Sequence, residues 1–565
     1  MSDVQTVEIN LPRDTTIKEL VALQRTALIT GSPNAADMYY KSLVAMAKTK
    51  EEVDNLFAEW WRYQYDEGKF TKTDMIERWF GNVLDDDRIH GVSTPLYATS
   101  TSMIGELTDD SAGLVCTPST ESTAGNDPFA HLPQFWCVEV SAEKNEDGSH
   151  TIYYVEHIDD TADVRSGEHL CWVLQKNTYK KEWKDGSYKY LKTRCHPAAG
   201  YKRWPEGTDR TGTVHAYIAH PKYPAGMKDG TVTCGTGLAL LNRKSHSDGI
   251  TLWRQRGPQY SGASGSIIKF IDAMIRLKYA RKGNSGKIEG CTSYNFQYTA
   301  AVSETGVERV ILTKAQAANL LVGSSVMLGI QDGTDRNTAS NYSIFDGKRI
   351  KSIENITIDG TEYAAVNIDN DGVTFDTTAG STYLSTAPYH SGWNDNVLGR
   401  DGSRYSPTSG KEPGMIQGVE FMHGAYLILS DELWNWGTDE DGNYTFECYK
   451  CRDQSKCGTS INENYEKIEG AKLTFPAGTV GSWKYITDNI ISDDVMWPES
   501  ADASGSGVGV GAGFSCSPAV SGVRAPWVFG ALNNGGSAGV ACRRSGYSVG
   551  PRYWFGSLGA PGLEG

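Results

Sequence analysis

The sequence has no long apolar run, no excess of positive charge and few cysteines among its 565 residues. No stretch approaches the ~18 apolar residues that a membrane span requires, so we expect no membrane insertion. Lys and Arg number 54 against 69 Asp and Glu, a net charge of −15, which argues against a nucleic-acid-binding surface. The first thirty residues lack a basic segment followed by an apolar one, so the sequence predicts synthesis without a secretory signal.

Eleven cysteines are too sparse for a disulfide scaffold. Only Cys448, Cys451 and Cys457 have a spacing typical of metal ligands, and a zinc site there would need a fourth ligand such as His423 or His390. A hairpin with incidental thiols explains the same spacing and is the favoured interpretation. We therefore expect no metal and no cofactor.

Helical patterns dominate the first part of the chain. One helix is predicted over residues 14–31 and a second from Asn34 to Met46. Thr49 followed by Glu52, and Thr71 followed by Asp74, are capping-box signatures for two more. We expect a compact helical module over residues 1–88 that anchors the protein to a particle or to sister subunits.

The rest of the chain is mostly strand-like, which predicts a multidomain α+β protein. Residues 89–262 form a β-rich domain of short strands and polar turns, and a strong helix follows over 264–281. Five short strands over 303–388 predict a small inserted β-barrel. A helix-like run covers 426–436. The last domain then comprises residues 263–302 and 389–565.

Catalytic motifs are weak. Cys195 and His196 are adjacent in a strand pattern, so their side chains would point to opposite faces and could not act together. No nucleophile elbow, zinc-protease motif or phosphate-binding glycine loop occurs in its required context. We expect a protein that is not an enzyme.

The C-terminal stretch combines aromatic and small polar residues on a glycine-rich frame. Residues 501–565 contain 16 glycines and six charged side chains. Tyr, Trp, Asn and Ser supply contact area and adaptable hydrogen bonding, as in antibody paratopes. An ordinary glycine-rich core sheet with loops would have the same composition, and the two interpretations stay open on composition alone.

Four segments in this order resemble a known family. They are EGCTSYNFQYTAAV at 289–302, HSGWNDNVLGRDGS at 390–403, IQGVEFMHGAYLILSD at 416–431, and the terminal 521–560 with LNNGGSAGV and RYWFGSLGA. The sequence is similar to the C-type-lectin-fold variable proteins of diversity-generating retroelements, including phage receptor-binding proteins of the tropism-determinant kind. The resemblance covers roughly 266–302 and 389–565, and the insert resembles one seen in gut-phage members.

The resemblance implies a rigid C-type-lectin-like domain with varied side chains on one face. The implied ligand-binding residues are Trp527, Phe529, Asn533, Asn534, Ser537, Arg543, Arg544, Ser545, Tyr547, Arg552, Tyr553 and Trp554. Of these we expect most of Trp527, Asn533, Asn534, Arg543, Tyr547 and Tyr553 to be exposed, and we expect the neighbouring Phe555 and Leu558 to be buried. One departure concerns residues 554–557, where the family often has a glycine pair and an arginine.

The resemblance implies a phage virion protein, made in the host cytoplasm, that binds a host-cell surface receptor, either protein or glycan, for attachment. Other virion proteins are implied partners, and a homo-oligomer, with a trimer favoured, would supply avidity. One alternative is a structural decoration or baseplate protein whose lectin-like domain cements its neighbours. A remote one is an oxidase like the formylglycine-generating enzymes, which share the fold but use a closely spaced thiol pair, whereas Cys516 and Cys542 are 26 positions apart.

Overall fold

The computed structural model describes residues 33–331 and 336–564. Strands outweigh helices there and form several sheets, which confirms a mixed α+β protein. The helix predicted over 14–31 lies outside the described residues. No helix in the described part of the chain is long and apolar enough to cross a bilayer.

The α-helices lie mainly near the N-terminus and in the middle of the chain. They are α1 (Pro33–Met46), α2 (Lys50–Gln64), α3 (Lys72–Arg78), α4 (Thr161–Val164), α5 (His246–Arg254), α6 (Ser266–Tyr279) and α7 (Lys314–Ala317). Both predicted capping boxes are confirmed: Thr49 Oγ1 accepts from the Glu52 N–H at 3.2 Å, and Thr71 Oγ1 from the Asp74 N–H at 3.1 Å. A π-helical turn, Trp79–Val83, continues α3.

Short strands fill the remainder. Up to the insert they are β1 (Ile89–Pro95), β2 (Glu106–Asp109), β3 (Cys137–Lys144), β4 (His150–Val155), β5 (Leu170–Lys176), β6 (Tyr179–Asp185), β7 (Tyr188–Arg194), β8 (Lys202–Arg203), β9 (Tyr217–Pro221), β10 (Gly226–Lys228) and β11 (Thr231–Thr233). In and around the insert they are β12 (Gln297–Thr299), β13 (Glu304–Val307), β14 (Arg309–Leu312), β15 (Ser325–Gly329), β16 (Phe345–Ile358), β17 (Thr361–Asp369), β18 (Phe375–Thr377) and β19 (Tyr383–Thr386). The C-terminal strands are β20 (Gly414–Ile416), β21 (Val419–Phe421), β22 (Tyr426–Ile428), β23 (Glu432–Thr438), β24 (Tyr444–Lys450), β25 (Glu466–Phe475), β26 (Ser482–Tyr485), β27 (Gly513–Cys516), β28 (Gly522–Arg524), β29 (Trp527–Val528), β30 (Arg543–Arg544) and β31 (Gly556–Leu558).

The β-rich region contains two larger sheets, ordered β2-β1-β7-β6-β8 and β4-β3-β5-β9. Helix α6 contacts β1 and β7 and buries an apolar face that includes Ile271 and Leu277. The helix predicted over 264–281 is therefore confirmed, since its i, i+3, i+4 apolar spacing matches the face that it buries.

The N-terminal helices share one hydrophobic core with the β-rich region. The ring of Phe57 lies 5.3 Å from that of Trp136, and Phe80 lies 5.7 Å from Tyr217. Trp136 Nε1 donates to Asp54 Oδ1 at 2.8 Å. The helices are thus built into the β-rich region, and the four-domain division stays a prediction.

The insert is an open sheet, so the predicted small barrel is wrong. Its strands run β12-β19-β15-β16-β17-β14, with β12 and β14 at the edges. The chain between these edges leaves the sheet, because β13 pairs with β18 in a separate two-stranded sheet. Near the two edge strands, the described residues form one backbone hydrogen bond, from Ala301 N to Ile311 O at 2.8 Å. A closed barrel would need a continuous ladder of such bonds between the edge strands.

The C-terminal region has a six-stranded sheet, β26-β27-β30-β29-β22-β31, and a four-stranded sheet, β25-β24-β23-β28. The helix predicted over 426–436 is wrong, because this run forms β22 and β23. Leu427 pairs with Val528 on one side and with Ser557 on the other. An apolar run this short suits a buried central strand as well as a helix, and the terminal segment supplies the strands on both sides.

Candidate ligand-binding face

The implied binding residues divide into a buried set, a polar loop and a half-exposed aromatic cluster. Strand alternation explains much of the division, since successive side chains of an extended segment point to opposite sides. The buried members are Trp527, Phe529, Arg543, Ser545 and Trp554, each at most 3% exposed. The exposure predicted for Trp527 and Arg543 is therefore wrong, and none of the five reaches the surface.

Buried Arg543 and Ser545 hold the terminal strands together. The Arg543 guanidinium donates to the carbonyl oxygens of Met496 at 2.7 Å and Cys542 at 3.0 Å. Burial lowers the pKa of Arg543. Ser545 Oγ donates to Ser515 O at 2.9 Å, across from β30 to the neighbouring strand β27. These contacts use the side chains inside the protein, so their roles are structural.

Trp554 and Phe529 also point inward. The Trp554 backbone N–H donates to Asn337 Oδ1 at 2.7 Å, and the Arg336 guanidinium lies 5.2 Å from its ring, so Trp554 docks the C-terminus on the insert. Phe529 has a φ of 75°, which is rare for an aromatic residue. This bend ends β29 and turns the chain toward the polar loop that follows.

The polar loop contains Asn533, Asn534 and Ser537, of which Asn533 is exposed and the other two are half-buried. Asn534 Oδ1 accepts from the Ala531 N–H at 2.7 Å, which closes the turn. The Gly535 N–H donates to Thr292 O at 2.8 Å and fixes the loop on the segment after α6. Asn533 is the side chain that this loop leaves free for solvent.

A second surface feature, which we call the C-terminal aromatic cluster, consists of Tyr426, Trp527, Tyr547, Tyr553 and Phe555. Trp527 and Tyr426 form its buried floor, while Tyr547, Tyr553 and Phe555 are half-exposed. The rings of Tyr547 and Tyr553 are 4.5 Å apart, and Tyr553 stacks on Phe555 at 5.2 Å. The burial predicted for Phe555 is therefore only partial, whereas Leu558 is buried as predicted.

Arg544 lies against this cluster. Its guanidinium is 4.6 Å from the centre of the Tyr547 ring and 5.0 Å from that of Phe555. Arg544 Nη2 also donates to Tyr547 Oη at 2.7 Å. A cation held over aromatic faces is an attractive arrangement, and Tyr and Arg are enriched among residues that dominate binding interfaces. The cluster offers ring faces for stacking, two hydroxyls and one fixed positive charge.

Arg552 lies next to this cluster in sequence and is paired. Its Nε and Nη2 atoms donate to the two oxygens of Asp248 at 2.6 and 2.7 Å, in the first turn of α5. The pair ties the loop before Tyr553 to that helix. The Arg552 side chain is still 65% exposed, so it remains accessible from solvent although it is paired with Asp248.

The sequence could have indicated Phe555 and could not have indicated Tyr426. In the run Tyr553-Trp554-Phe555, alternation places the first and third rings on one side and Trp554 on the other. Tyr426 joins from a strand more than a hundred positions earlier, through the pairing of β22 with β29 and β31. Only the sheet order brings it to the site.

The cysteine motif does not form a metal site. Cys448 Sγ points to Glu432 Oε2 at 3.6 Å, whereas Cys451 and Cys457 both point to the Asp453 carbonyl, at 3.2 and 3.8 Å. Across residues 33–331 and 336–564, no three His, Cys, Asp or Glu side chains are grouped to hold a metal ion. The described structure therefore does not group the three thiols as a zinc site requires, and the two alternative ligands are engaged elsewhere, His423 with Glu420 and His390 with Gly347.

The thiols invoked by the oxidase alternative do not form a pair. Strands β27 and β30 run parallel with Phe514 opposite Arg543, so Cys516 lies three positions beyond the residue opposite Cys542. Three strand residues span about 10 Å. Burial raises the pKa of Cys516 to about 11 and of Cys542 to about 12, so neither is a thiolate at neutral pH.

A charged junction fixes the C-terminal region against the β-rich region. Glu139, fully buried, accepts from Arg165 Nη2 at 2.9 Å, lies 3.0 Å from Lys222 Nζ, and also bonds Arg400. Burial alone would raise the pKa of Glu139, but these three cations hold it well below its usual range. Arg400 also bonds Glu156 at 2.6 Å, beside a cleft of about 270 Å³. Because the carboxylates of this junction pair with its cations, the junction stabilises the contact between the β-rich region and the C-terminal region.

No protein-family model matches this chain, and no curated protein matches its sequence. The interpretation of the site therefore depends on its own geometry and on the resemblance of the terminal segments.

Proposed function

We propose that this protein is a phage virion component whose C-terminal region, a C-type-lectin-like domain, binds a receptor on the host-cell surface. The observation that carries the proposal is the C-terminal aromatic cluster with Arg544. Large aromatic side chains left half-exposed beside a fixed cation are costly to leave in water, and such groups typically serve as contacts in binding interfaces.

The rigidity of the surroundings supports the same proposal. Trp527 provides a buried floor beneath Tyr547 and Tyr553, with ring centres 4.8 and 6.1 Å away. A binding surface whose side chains are already held in place loses less conformational entropy when it binds. A protein or a glycan receptor fits these groups, because tyrosine rings stack on either apolar side chains or sugar C–H faces.

The binding set proposed here is narrower than the one implied by sequence. It comprises Arg544, Tyr547, Tyr553 and Phe555, with Asn533 and Arg552 as outlying contacts. Several copies of such a surface would gain avidity of ~10²–10⁴ over one copy, so we propose a homo-oligomer, with a trimer favoured. Sedimentation of the full chain at micromolar concentration tests this, and a monomer would contradict it.

The central test separates binding from stability. Tyr547→Ala and Tyr553→Ala are made singly in virions and in the purified full chain. Each is expected to weaken adsorption to host cells about 30-fold, the equivalent of ~2 kcal/mol, with little change in melting temperature. The matched control is Tyr188→Ala, because Tyr188 is a 46% exposed tyrosine on β7 in the other region, and this variant should adsorb normally.

Two results would contradict the proposal. Normal adsorption of both variants would exclude the cluster as the receptor contact. Imaging of virions that finds the cluster packed against a neighbouring subunit would instead favour the cementing role, in which the same aromatic side chains join structural proteins.

A further inference from the structure

A small, partly open cavity lies where the β-rich region meets the C-terminal region. Its volume is about 30 Å³. Strands β6 and β7, helix α6 and the segment from 489 to 496 surround it. None of the residues of the C-terminal aromatic cluster lines it, so it is a separate feature.

The charged lining of this cavity is mostly cationic. Its cations are Lys180, Lys189, Lys269 and Arg276, and its carboxylates are Glu182 and Asp272. Both carboxylates are engaged with Arg276 Nη1, Glu182 at 2.6 Å and Asp272 at 3.7 Å. Lys189 adds a 3.0 Å contact to the same Glu182. Lys180 lies 3.6 Å from Asp493, just outside the lining, so Lys269 is the lining cation that has no carboxylate within 4 Å among the described residues.

Two nitrogen atoms of this lining are buried without a hydrogen-bond partner among the described residues. They are Lys269 Nζ and Arg276 Nη2. Arg276 is only 5% exposed, so bulk water reaches little of its side chain. Buried donors are nearly always paired, and a charged donor left alone is especially costly. Both nitrogens belong to residues that line this cavity.

We propose that this cavity binds one small monovalent anion of the chloride class, held between Lys269 Nζ and Arg276 Nη2. A buried ammonium and a buried guanidinium nitrogen that both lack an acceptor favour an anion over a neutral water molecule. About 30 Å³ corresponds to the volume of one water molecule in the liquid, so a halide fits and a phosphate or an organic acid does not. The inference does not depend on the proposed receptor binding.

Burial disfavours the charged form of Lys269. Burial and the neighbouring Lys180 lower the pKa of Lys269 to about 7. The other groups that face it are the carboxylates of Glu182, Glu206 and Asp493. An anion at Nζ would favour the ammonium form and raise that pKa again.

A bound anion would also strengthen the contact between two parts of the protein. Lys189 Nζ donates to Asn489 O at 3.0 Å, and Lys180 Nζ lies 3.6 Å from Asp493, so both lysines already join β6 and β7 to the C-terminal segment. Neutralising the repulsion between Lys269 and Lys180 would stabilise this junction. A ligand that binds only the folded state stabilises it by RT ln(1 + [L]/Kd), so the melting temperature rises with the ligand concentration.

The test is thermal melting of the full chain at constant ionic strength while gluconate is replaced by chloride. We expect the melting temperature to rise by about 2–4 °C between about 5 and 500 mM chloride, and bromide to act likewise. Phosphate should give no such rise, because it exceeds the cavity. Equal melting in chloride and in gluconate would overturn the proposal.

A pair of variants assigns the effect to the cavity. Lys269→Met keeps the length of the side chain and removes its charge, so it should melt at the same temperature in chloride and gluconate. Lys202→Met is the control, because Lys202 is 73% exposed and contacts Asp493 outside the cavity, and it should keep the chloride response. A chloride response that survives Lys269→Met would overturn the assignment.

If the Lys269→Met variant fails to fold, crystals of the wild-type protein soaked in bromide provide an independent test by anomalous diffraction. An anomalous peak between Lys269 and Arg276 is the expected result. Density for water alone at that position would overturn the proposal.

Discussion

Two aromatic clusters in this chain each contain five rings but differ in exposure. The N-terminal aromatic cluster joins the helices to the β-rich region and consists of Phe57, Trp60, Trp79, Phe80 and Trp136, all fully buried. The C-terminal aromatic cluster, on the glycine-rich sheet, leaves three of its five rings half-exposed. Aromatic content alone therefore does not identify a binding surface.

The difference arises from what covers each cluster. Around Trp79, a helix lies on a sheet, and rings from both layers approach within 5.0–5.8 Å from several sides. Around Tyr553, the neighbouring rings are those of Trp527, Tyr547 and Phe555, and the rings of Tyr547, Tyr553 and Phe555 stay partly accessible. In the N-terminal aromatic cluster, two packed layers bury the rings from both sides. In the C-terminal aromatic cluster, the sheet packs against one side of the rings.

The largest expected effect is in the N-terminal aromatic cluster. Trp79→Ala should lower the free energy of unfolding by ~3–5 kcal/mol, because it leaves a cavity among rings that cannot collapse into it. Chemical denaturation of the full chain measures this. Tyr63→Ala, at a 50% exposed position on α2, is the control and should change stability little. Equal effects of the two variants would remove the contrast between the clusters.

The C-terminal aromatic cluster should be sensitive to added volume beneath its floor. A Cβ atom at Gly556 would lie 2.3 Å from the Trp527 ring, so Gly556→Ala should cost ~1–3 kcal/mol of stability through overpacking. Gly550→Ala, where nothing lies within 4 Å, should stay within ~0.5 kcal/mol. A neutral Gly556→Ala would mean that Trp527 moves freely, contrary to a fixed floor.

The pH dependence of the C-terminal region should come partly from His246, at the start of α5. Burial lowers its pKa to about 4. Because the unfolded chain binds a proton near pH 6.5 and the folded one does not, the stability contribution is present above pH 6.5 and is lost as pH falls toward 4. His246→Met should thus gain about 2 kcal/mol relative to wild type between pH 8 and pH 5. A constant difference across that range would contradict the buried neutral imidazole.

Capping boxes and apolar spacing predicted helices correctly where the helix depends on residues that are close in sequence. Thr49 and Thr71 predicted the starts of α2 and α3, since a capping box is satisfied within four residues. The apolar spacing of residues 264–281 predicted α6. The run at 426–436 failed because its apolar residues fit either a helix or a strand, and the deciding partners, β29 and β31, lie about 100 or more positions later.

The sequence by itself determined the mixed α+β class, the capped helices, and a glycine-rich C-terminal frame carrying aromatic side chains. Tertiary structure alone decided which side chains of that frame reach the surface. Tyr553 and Trp554 are neighbours in sequence, yet one joins a half-exposed cluster and the other is buried against the insert. The physical reason is that exposure of a strand residue depends on what packs against each face, and those partners come from distant segments.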